Sequence, residues 1–118
     1  MVVIDDDEMV GELTALFLGD RGYDVQVAAS GKAGLQLALK TIPHVVVCDM
    51  QMPGMSGEEV LLALKRQPLT SHIPVVLMSG QHDAEFVGLG DAFIWKPFNC
   101  DELVATIERV RDYPCAKT

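Results

Sequence analysis

The chain has 118 residues, 49% hydrophobic and 22% charged, which describes one ordinary soluble globular domain with a core of its own. Its formal charge of -8 argues against nucleic acid or an anionic membrane as the direct partner. Its longest apolar runs are far too short to span a bilayer. Met1-Val2-Val3-Ile4 runs straight into acid, so no signal peptide is expected. Cys48, Cys100 and Cys115 are odd in number and show no Cys-x-x-Cys pattern, and reduced thiols in a cytoplasm are the expectation. His44, His72 and His82 lack metal-ligand spacing and are read as loop or surface residues.

Val2-Val3-Ile4 reads as a short buried strand that breaks into Asp5-Asp6-Asp7. A helix follows, with Asp7 as its N-cap. Met9, Val10, Leu13, Leu16 and Phe17 form one apolar face, predicted to point inward, and Gly22 ends the helix. Tyr23, Val25 and Val27 alternate with Asp24 and Gln26, which predicts a second strand with one wetter face. Ser30 caps a helix with Ala33, Leu37 and Ala38 inward, closed by Pro43. Val45-Val46-Val47-Cys48 has the unbroken apolar character of a strand buried on both faces, and Asp49 ends it. Met52-Pro53-Gly54 turns the chain. Ser56 with Glu59 is a capping box for a third helix bearing Val60, Leu61 and Leu64. Pro68 and Pro74 bracket a loop. Val75–Met78 is the fourth strand, ending at Ser79-Gly80, and Ala92–Trp95 the fifth, ending at Lys96-Pro97. Asn99 with Glu102 caps a last helix lined by Leu103, Val104, Ile107 and Val110, and the residues from Tyr113 are expected as a loose tail.

Alternating strands and helices imply a parallel sheet covered on both faces. Strand order 2-1-3-4-5 places a topological switch point between the first and third strands, which end in Asp5-Asp6 and Asp49. Their mutual repulsion requires a cation. Ser79 and Lys96 end two more strands on the same rim. Clustered carboxylates suit Mg2+, a carboxylate beside it can attack phosphorus, and a hydroxyl and an ammonium can hold the phosphoryl oxygens.

On Ile4-Asp5-Asp6, Cys48-Asp49-Met50-Gln51-Met52-Pro53-Gly54, Met78-Ser79-Gly80 and Lys96-Pro97-Phe98, the sequence resembles the receiver domain of two-component response regulators, including the chemotaxis response regulator. The resemblance implies a flavodoxin-like receiver domain over residues 1–112, with 113–118 as tail. It implies Asp49 as phosphoacceptor and Asp6, Asp49 and the Gln51 carbonyl as Mg2+ ligands, with Asp5 acting through water. Ser79 would follow the phosphoryl group and Lys96 would bond it. Gly80 would leave the acceptor open, Phe93 would take the aromatic switch position without a hydroxyl, and Lys96-Pro97 would be a cis peptide. Seventeen positions separate Ser79 from Lys96, about five fewer than the resemblance implies, so the helix between the last two strands is expected to be short or irregular.

The function expected on this resemblance is acceptance of a phosphoryl group from a histidine kinase or phosphotransfer protein, with a switch of binding surface as output. Chemistry would be limited to the domain's own phosphorylation and dephosphorylation. A haloacid-dehalogenase-type phosphohydrolase is the enzyme alternative, but it calls for Asp-x-Asp after the first strand and a cap domain. A pseudo-receiver that never turns over is the interaction-module alternative, and the intact Asp6, Asp49 and Lys96 argue against it. Phe93 and Trp95 share one side of the fifth strand and are expected to be partly exposed. The face formed by the fourth helix, fifth strand and fifth helix would then take an effector or a second copy.

Overall fold

A computed structural model describes residues 1–80, 91–96 and 99–112. Its strands are β1 (Val2–Ile4), β2 (Gln26–Ala28), β3 (Val46–Asp49), β4 (Val75–Ser79) and β5 (Ala92–Trp95). The helices among the described residues are α1 (Glu8–Asp20), α2 (Gly31–Thr41), α3 (Gly57–Arg66) and α4 (Cys100–Asp112). Every strand pairing is parallel, and the order is β2-β1-β3-β4-β5, as the alternation of elements predicts. The short helix expected between the last two strands, the Lys96-Pro97 cis peptide and the 113–118 tail fall outside the described residues.

The sheet separates two apolar layers. On one face Ile4, Val46, Cys48 and Leu77 meet Ala38 of α2 and Val60, Leu61 and Leu64 of α3. On the other Val3, Val47, Val76 and Met78 meet Leu18 of α1 and Leu103, Val104, Ile107 and Val110 of α4. β3 and β4 are buried throughout, which is why their sequences show no polar alternation. Along β5 the faces alternate: Phe93 packs with the first layer and Ile94 with the second.

The helix starts follow the predicted caps. Asp7 Oδ1 accepts from the Met9 and Val10 N–H groups at 3.1 and 3.3 Å, and Ser30 Oγ accepts from Ala33 N at 3.1 Å. Both arms of the Ser56–Glu59 capping box are made at 3.2 Å. Asn99 Oδ1 accepts from Glu102 N at 2.7 Å, while Glu102 returns to the Asn99 side-chain amide rather than to its backbone.

Three expectations about faces are corrected. The apolar stripe of α1 points outward: Met9 is 70% exposed and Leu16 60%, with Leu13 and Phe17 also exposed. Gly11, Thr14 and Leu18 are the buried face instead. The cause is close approach, since a Cβ on Gly11 would lie 3.0 Å from Val27 Cγ1, so α1 meets the sheet edge through small residues. In α2, Ala33 is exposed, and Gly31, Gly34 and Ala38 face inward. A Cβ on Gly34 would lie 2.3 Å from Ile4 Cδ1. β2 is shorter and later than predicted: Tyr23 and Val25 are half-buried lead-in residues, and Val27 is exposed.

One buried polar knot, absent from the sequence expectations, pins the start of β5. Lys65 Nζ, at the end of α3, donates to Ile73 O at 2.9 Å and to Asp91 Oδ2 at 3.1 Å. The same Asp91 oxygen accepts from Val75 N at 2.8 Å, so one carboxylate joins α3, β4 and β5.

Gly57 opens α3 against the backbone that carries Asp49. A Cβ there would lie 2.5 Å from Asp49 O and 2.9 Å from Met50 Cα, contacts that only a shift of the main chain could relieve. Gly57→Ala is expected to destabilise the fold by about 1–3 kcal/mol, the usual cost of overpacking. Urea unfolding measures this, and unchanged stability would show that α3 can recede without cost.

Candidate functional site

The carboxyl ends of β1, β3, β4 and β5 are held in register by main-chain bonds that continue past the strands. Asp5 N donates to Ala28 O at 3.1 Å, Met50 N to Met78 O at 2.8 Å and Lys96 N to Ser79 O at 2.7 Å. In the ladder Ile4 stands beside Cys48, Asp49 beside Met78, and Ser79 beside Trp95. Asp5, Asp49, Ser79 and Lys96 are therefore fixed relative to one another by the sheet itself.

Carboxylate oxygens of Asp5, Asp6 and Asp49 all lie within 4.8 Å of one another. Asp5 and Asp49 are buried and Asp6 is exposed. Lys96 Nζ sits between the two buried acids, 3.4 Å from Asp5 Oδ2 and 3.3 Å from Asp49 Oδ2. The other Asp5 oxygen accepts from Asp7 N at 2.9 Å, which links the site to the cap of α1. Asp49 Oδ1 accepts from Gln51 N at 3.2 Å. Ser79 Oγ donates to the Gln51 side-chain Oε1 at 3.0 Å, a contact the sequence reading did not anticipate.

Three carboxylates against one ammonium leave two negative charges in excess, all on oxygen donors. That donor set fits a hard divalent cation. Gly80 is exposed, and a Cβ there would make only ordinary contact, 3.8 Å from Lys96 Cβ, so packing does not demand glycine. Phe93 and Trp95 are both half-buried, with ring centroids 4.8 Å apart and planes tilted by 59°. Cys48 is free and buried, and burial pushes its thiol pKa far up, so it stays protonated. His44 and His72 are exposed, and His82 falls outside the described residues.

The family model for the response regulator receiver domain matches residues 1–108. RpaA of Synechocystis, described as a DNA-binding dual master transcriptional regulator, is 32% identical over 112 residues, which is 91% of this chain and 46% of that protein. PhoB of Pseudomonas aeruginosa, a phosphate regulon transcriptional regulatory protein, is 31% identical over 93% of this chain and 50% of its own length. The solved structure of the chemotaxis response regulator CheY4 of Vibrio cholerae superposes with a TM-score of 0.85 at 28% identity, covering 92% of this chain and 95% of that one. The chain belongs to the response regulator receiver domain family, the signalling domains of two-component systems. It spans about half the length of the curated relatives it matches. Family membership sets aside the haloacid-dehalogenase alternative.

The Asp49 carboxyl is pushed above the usual aspartate range, chiefly by burial and further by the Asp5 carboxylate, while Lys96 and the Gln51 N–H pull it back. A carboxyl with a raised folded-state pKa favours the fold when protonated. Its ionisation therefore costs stability, and that cost is absent below the unfolded value, grows as pH rises and is complete once pH has passed through the folded value. Without divalent cation, Asp49→Asn is expected to raise Tm by a few degrees at neutral pH, with the difference vanishing below the ordinary aspartate pKa. Thermal melts across pH check this, and a destabilised Asn variant at neutral pH would show that the Lys96 contact outweighs burial.

Proposed function

We propose that the domain accepts a phosphoryl group on Asp49 and, in doing so, changes the surface it offers to partners. The observation that carries this reading is the Lys96 ammonium between the Asp5 and Asp49 carboxylates, with Asp6 alongside, at the rim of β1 and β3. Asp49 is the nucleophile: a carboxylate oxygen forms the bond to phosphorus as the bond from phosphorus to the donor's leaving atom breaks. Lys96 moves from pairing two acids to pairing an acid and a phosphoryl oxygen, so its charge is used before and after transfer. Ser79, buried at the end of β4, supplies a hydroxyl to another oxygen. Gly80 leaves the approach free of side chain. Asp6, Asp49 and the Gln51 carbonyl would hold Mg2+, with Asp5 contributing through water. Bound there, Mg2+ supplies charge neutralisation for the crowded acids and the incoming phosphoryl group. Hydrolysis of the acyl phosphate restores the carboxylate. Intact Asp6, Asp49 and Lys96 favour this over a pseudo-receiver.

The donor is a histidine kinase or phosphotransfer protein, and the setting is a cytoplasmic phosphorelay. A protein donor must reach Asp49 over the rim where α1 begins. There α1 presents Met9, Leu13, Leu16 and Phe17 to solvent. An apolar cleft of about 520 Å³ lies between α1 and α4, lined by Leu13, Phe17, Leu103, Gly80 and Lys96. Apolar surface this close to the acceptor suits protein docking. Phe93 and Trp95 on the β5 edge offer a second surface, for an effector or another copy of the domain. RpaA is described as DNA-binding. For the residues at hand the -8 charge disfavours direct contact with a phosphate backbone, so nucleic acid is not proposed as their partner.

Incubation with a small-molecule phosphodonor and Mg2+, followed by mapping of the modified residue, tests the central reading. One phosphoryl group on Asp49 is expected, lost in Asp49→Asn and formed about a hundredfold more slowly in Lys96→Ala. Modification at any other residue, or an unaffected Asn variant, overturns it. Docking is tested with a histidine phosphotransfer protein that labels the parent domain. The double change Leu13→Glu with Phe17→Glu is expected to lower protein-donor transfer at least tenfold relative to small-donor labelling, roughly the worth of one interfacial anchor. An unchanged ratio places the donor elsewhere.

A further inference from the structure

The Gln51 side chain lies outside the roles assigned so far, in which only its main chain takes part. Its Oε1 accepts the Ser79 hydroxyl proton at 3.0 Å, while the main-chain N–H of the same residue donates to Asp49 Oδ1 at 3.2 Å. One residue thus touches both the acceptor carboxylate and the hydroxyl meant to follow the phosphoryl group.

Ser79 has little freedom. It is fully buried, and the ladder pairs it with Trp95 while its carbonyl accepts from Lys96 N at 2.7 Å. With the main chain fixed, its hydroxyl can be redirected only by rotation between staggered side-chain positions or about the C–O bond. A serine hydroxyl carries a single proton. Donated to Gln51 Oε1, that proton is not donated to a phosphoryl oxygen.

We propose that the Gln51 side chain is a latch on Ser79: a positioning residue that holds the hydroxyl toward itself in the resting domain and sets how readily it turns to the phosphoryl group. This rests on the reading of Asp49 as phosphoacceptor and Ser79 as the following hydroxyl. Phosphorylation replaces a neutral hydrogen bond with a charge-assisted one, so the exchange runs forward when a phosphoryl group is present. Gln51 is half-buried, so its released amide can turn to water instead of being stranded. The latch is accordingly modest, worth about a two- to tenfold factor, the range of one neutral hydrogen bond.

The test has two arms. In the first, beryllofluoride is titrated in the presence of Mg2+ into the parent, Gln51→Ala, Gln51→Met, Ser79→Ala and the double variants, with affinity read by calorimetry. Both Gln51 variants are expected to bind beryllofluoride about two- to tenfold more tightly than the parent, with the gain absent when Ser79 is Ala. Methionine keeps the bulk but not the acceptor. A gain confined to the Ala variant, a gain that persists without the Ser79 hydroxyl, or no gain at all overturns the latch. In the second arm, urea unfolding without divalent cation measures whether the Gln51 and Ser79 changes are coupled. A coupling of about two- to tenfold in the unfolding constant is expected, and strict additivity overturns the hydrogen bond itself. If the parent binds no beryllofluoride and takes no label on Asp49, the phosphoacceptor reading falls and this inference with it. Coupling that survives in the cation-free arm would then locate the failure in that reading rather than in the contact.

Discussion

The Lys96 ammonium, shared by two buried carboxylates, is the constraint around which the rest is arranged. Asp5 ends one strand, Asp49 its neighbour, and a parallel sheet with a switch point between them cannot keep them apart. Burial and the Asp5 carboxylate push the Asp49 carboxyl toward protonation. Lys96 relieves this from the far edge of the sheet, two strands beyond β3. Removing one member of such a buried group leaves uncompensated charge, typically at about 3–5 kcal/mol. Lys96 keeps 27% of its side chain exposed, so water relieves part of that and the lower end applies. Lys96 thus holds the rim together, and two negative charges remain in excess on its oxygen donors.

The rim was legible in the sequence because its geometry follows from topology. Each of Asp5, Asp49, Ser79 and Lys96 lies at the end of a short apolar run, and a parallel sheet brings such ends to one edge whatever the helices do. The caps were legible for a related reason: Asp7, Ser30 and Ser56 bond N–H groups within three residues, so no tertiary information is needed. The outward stripe of α1 marks where this reasoning stops. Periodicity identifies an apolar face but not what it meets. Here Gly11 and Thr14 turn inward because the first turns of α1 approach the sheet closely at Gly11, Leu18 alone of the large residues enters the core further on, and Met9, Leu13, Leu16 and Phe17 are left outside. A stripe of Met9, Leu13, Leu16 and Phe17 read as core is instead surface.

The contacts that sequence missed are long-range and polar. Lys65 and Asp91 are 26 positions apart, and each alone has the character of a solvated charge. Only the fold brings them to Val75 and Ile73, where one carboxylate and one ammonium satisfy main-chain groups at the start of β4 and β5. Gln51 and Ser79, 28 positions apart, are the same kind of pair at the opposite end of the sheet. The β4–β5 pairing is thus fastened at one end by the Lys65–Asp91 ion pair and at the other by the Lys96 N–H to Ser79 carbonyl bond, while Gln51 ties the same serine to the loop after β3.

That asymmetry bears on how a change at the rim could reach a binding surface. β3, buried on both faces, has no slack, and Gly57 packs α3 directly onto the Asp49 carbonyl. Under the proposed function, movement in response to a new group on Asp49 would come from the groups around it. Lys96 pairs with Asp49 and Ser79 bonds Gln51 beside it, and the two are joined to each other by the Lys96 N–H to Ser79 carbonyl bond. Trp95 shares that rung and meets Phe93 in a tilted ring contact, and Phe93 packs against the first apolar layer. With the Lys65–Asp91 knot fixing the start of β5, any displacement of its far end under the proposed function would bend or rotate the strand instead of sliding it. A packed interior admits few such adjustments and tends to take them as discrete states. Under the proposed function, an exchange of hydrogen bonds at the rim would reach the aromatic edge through β5.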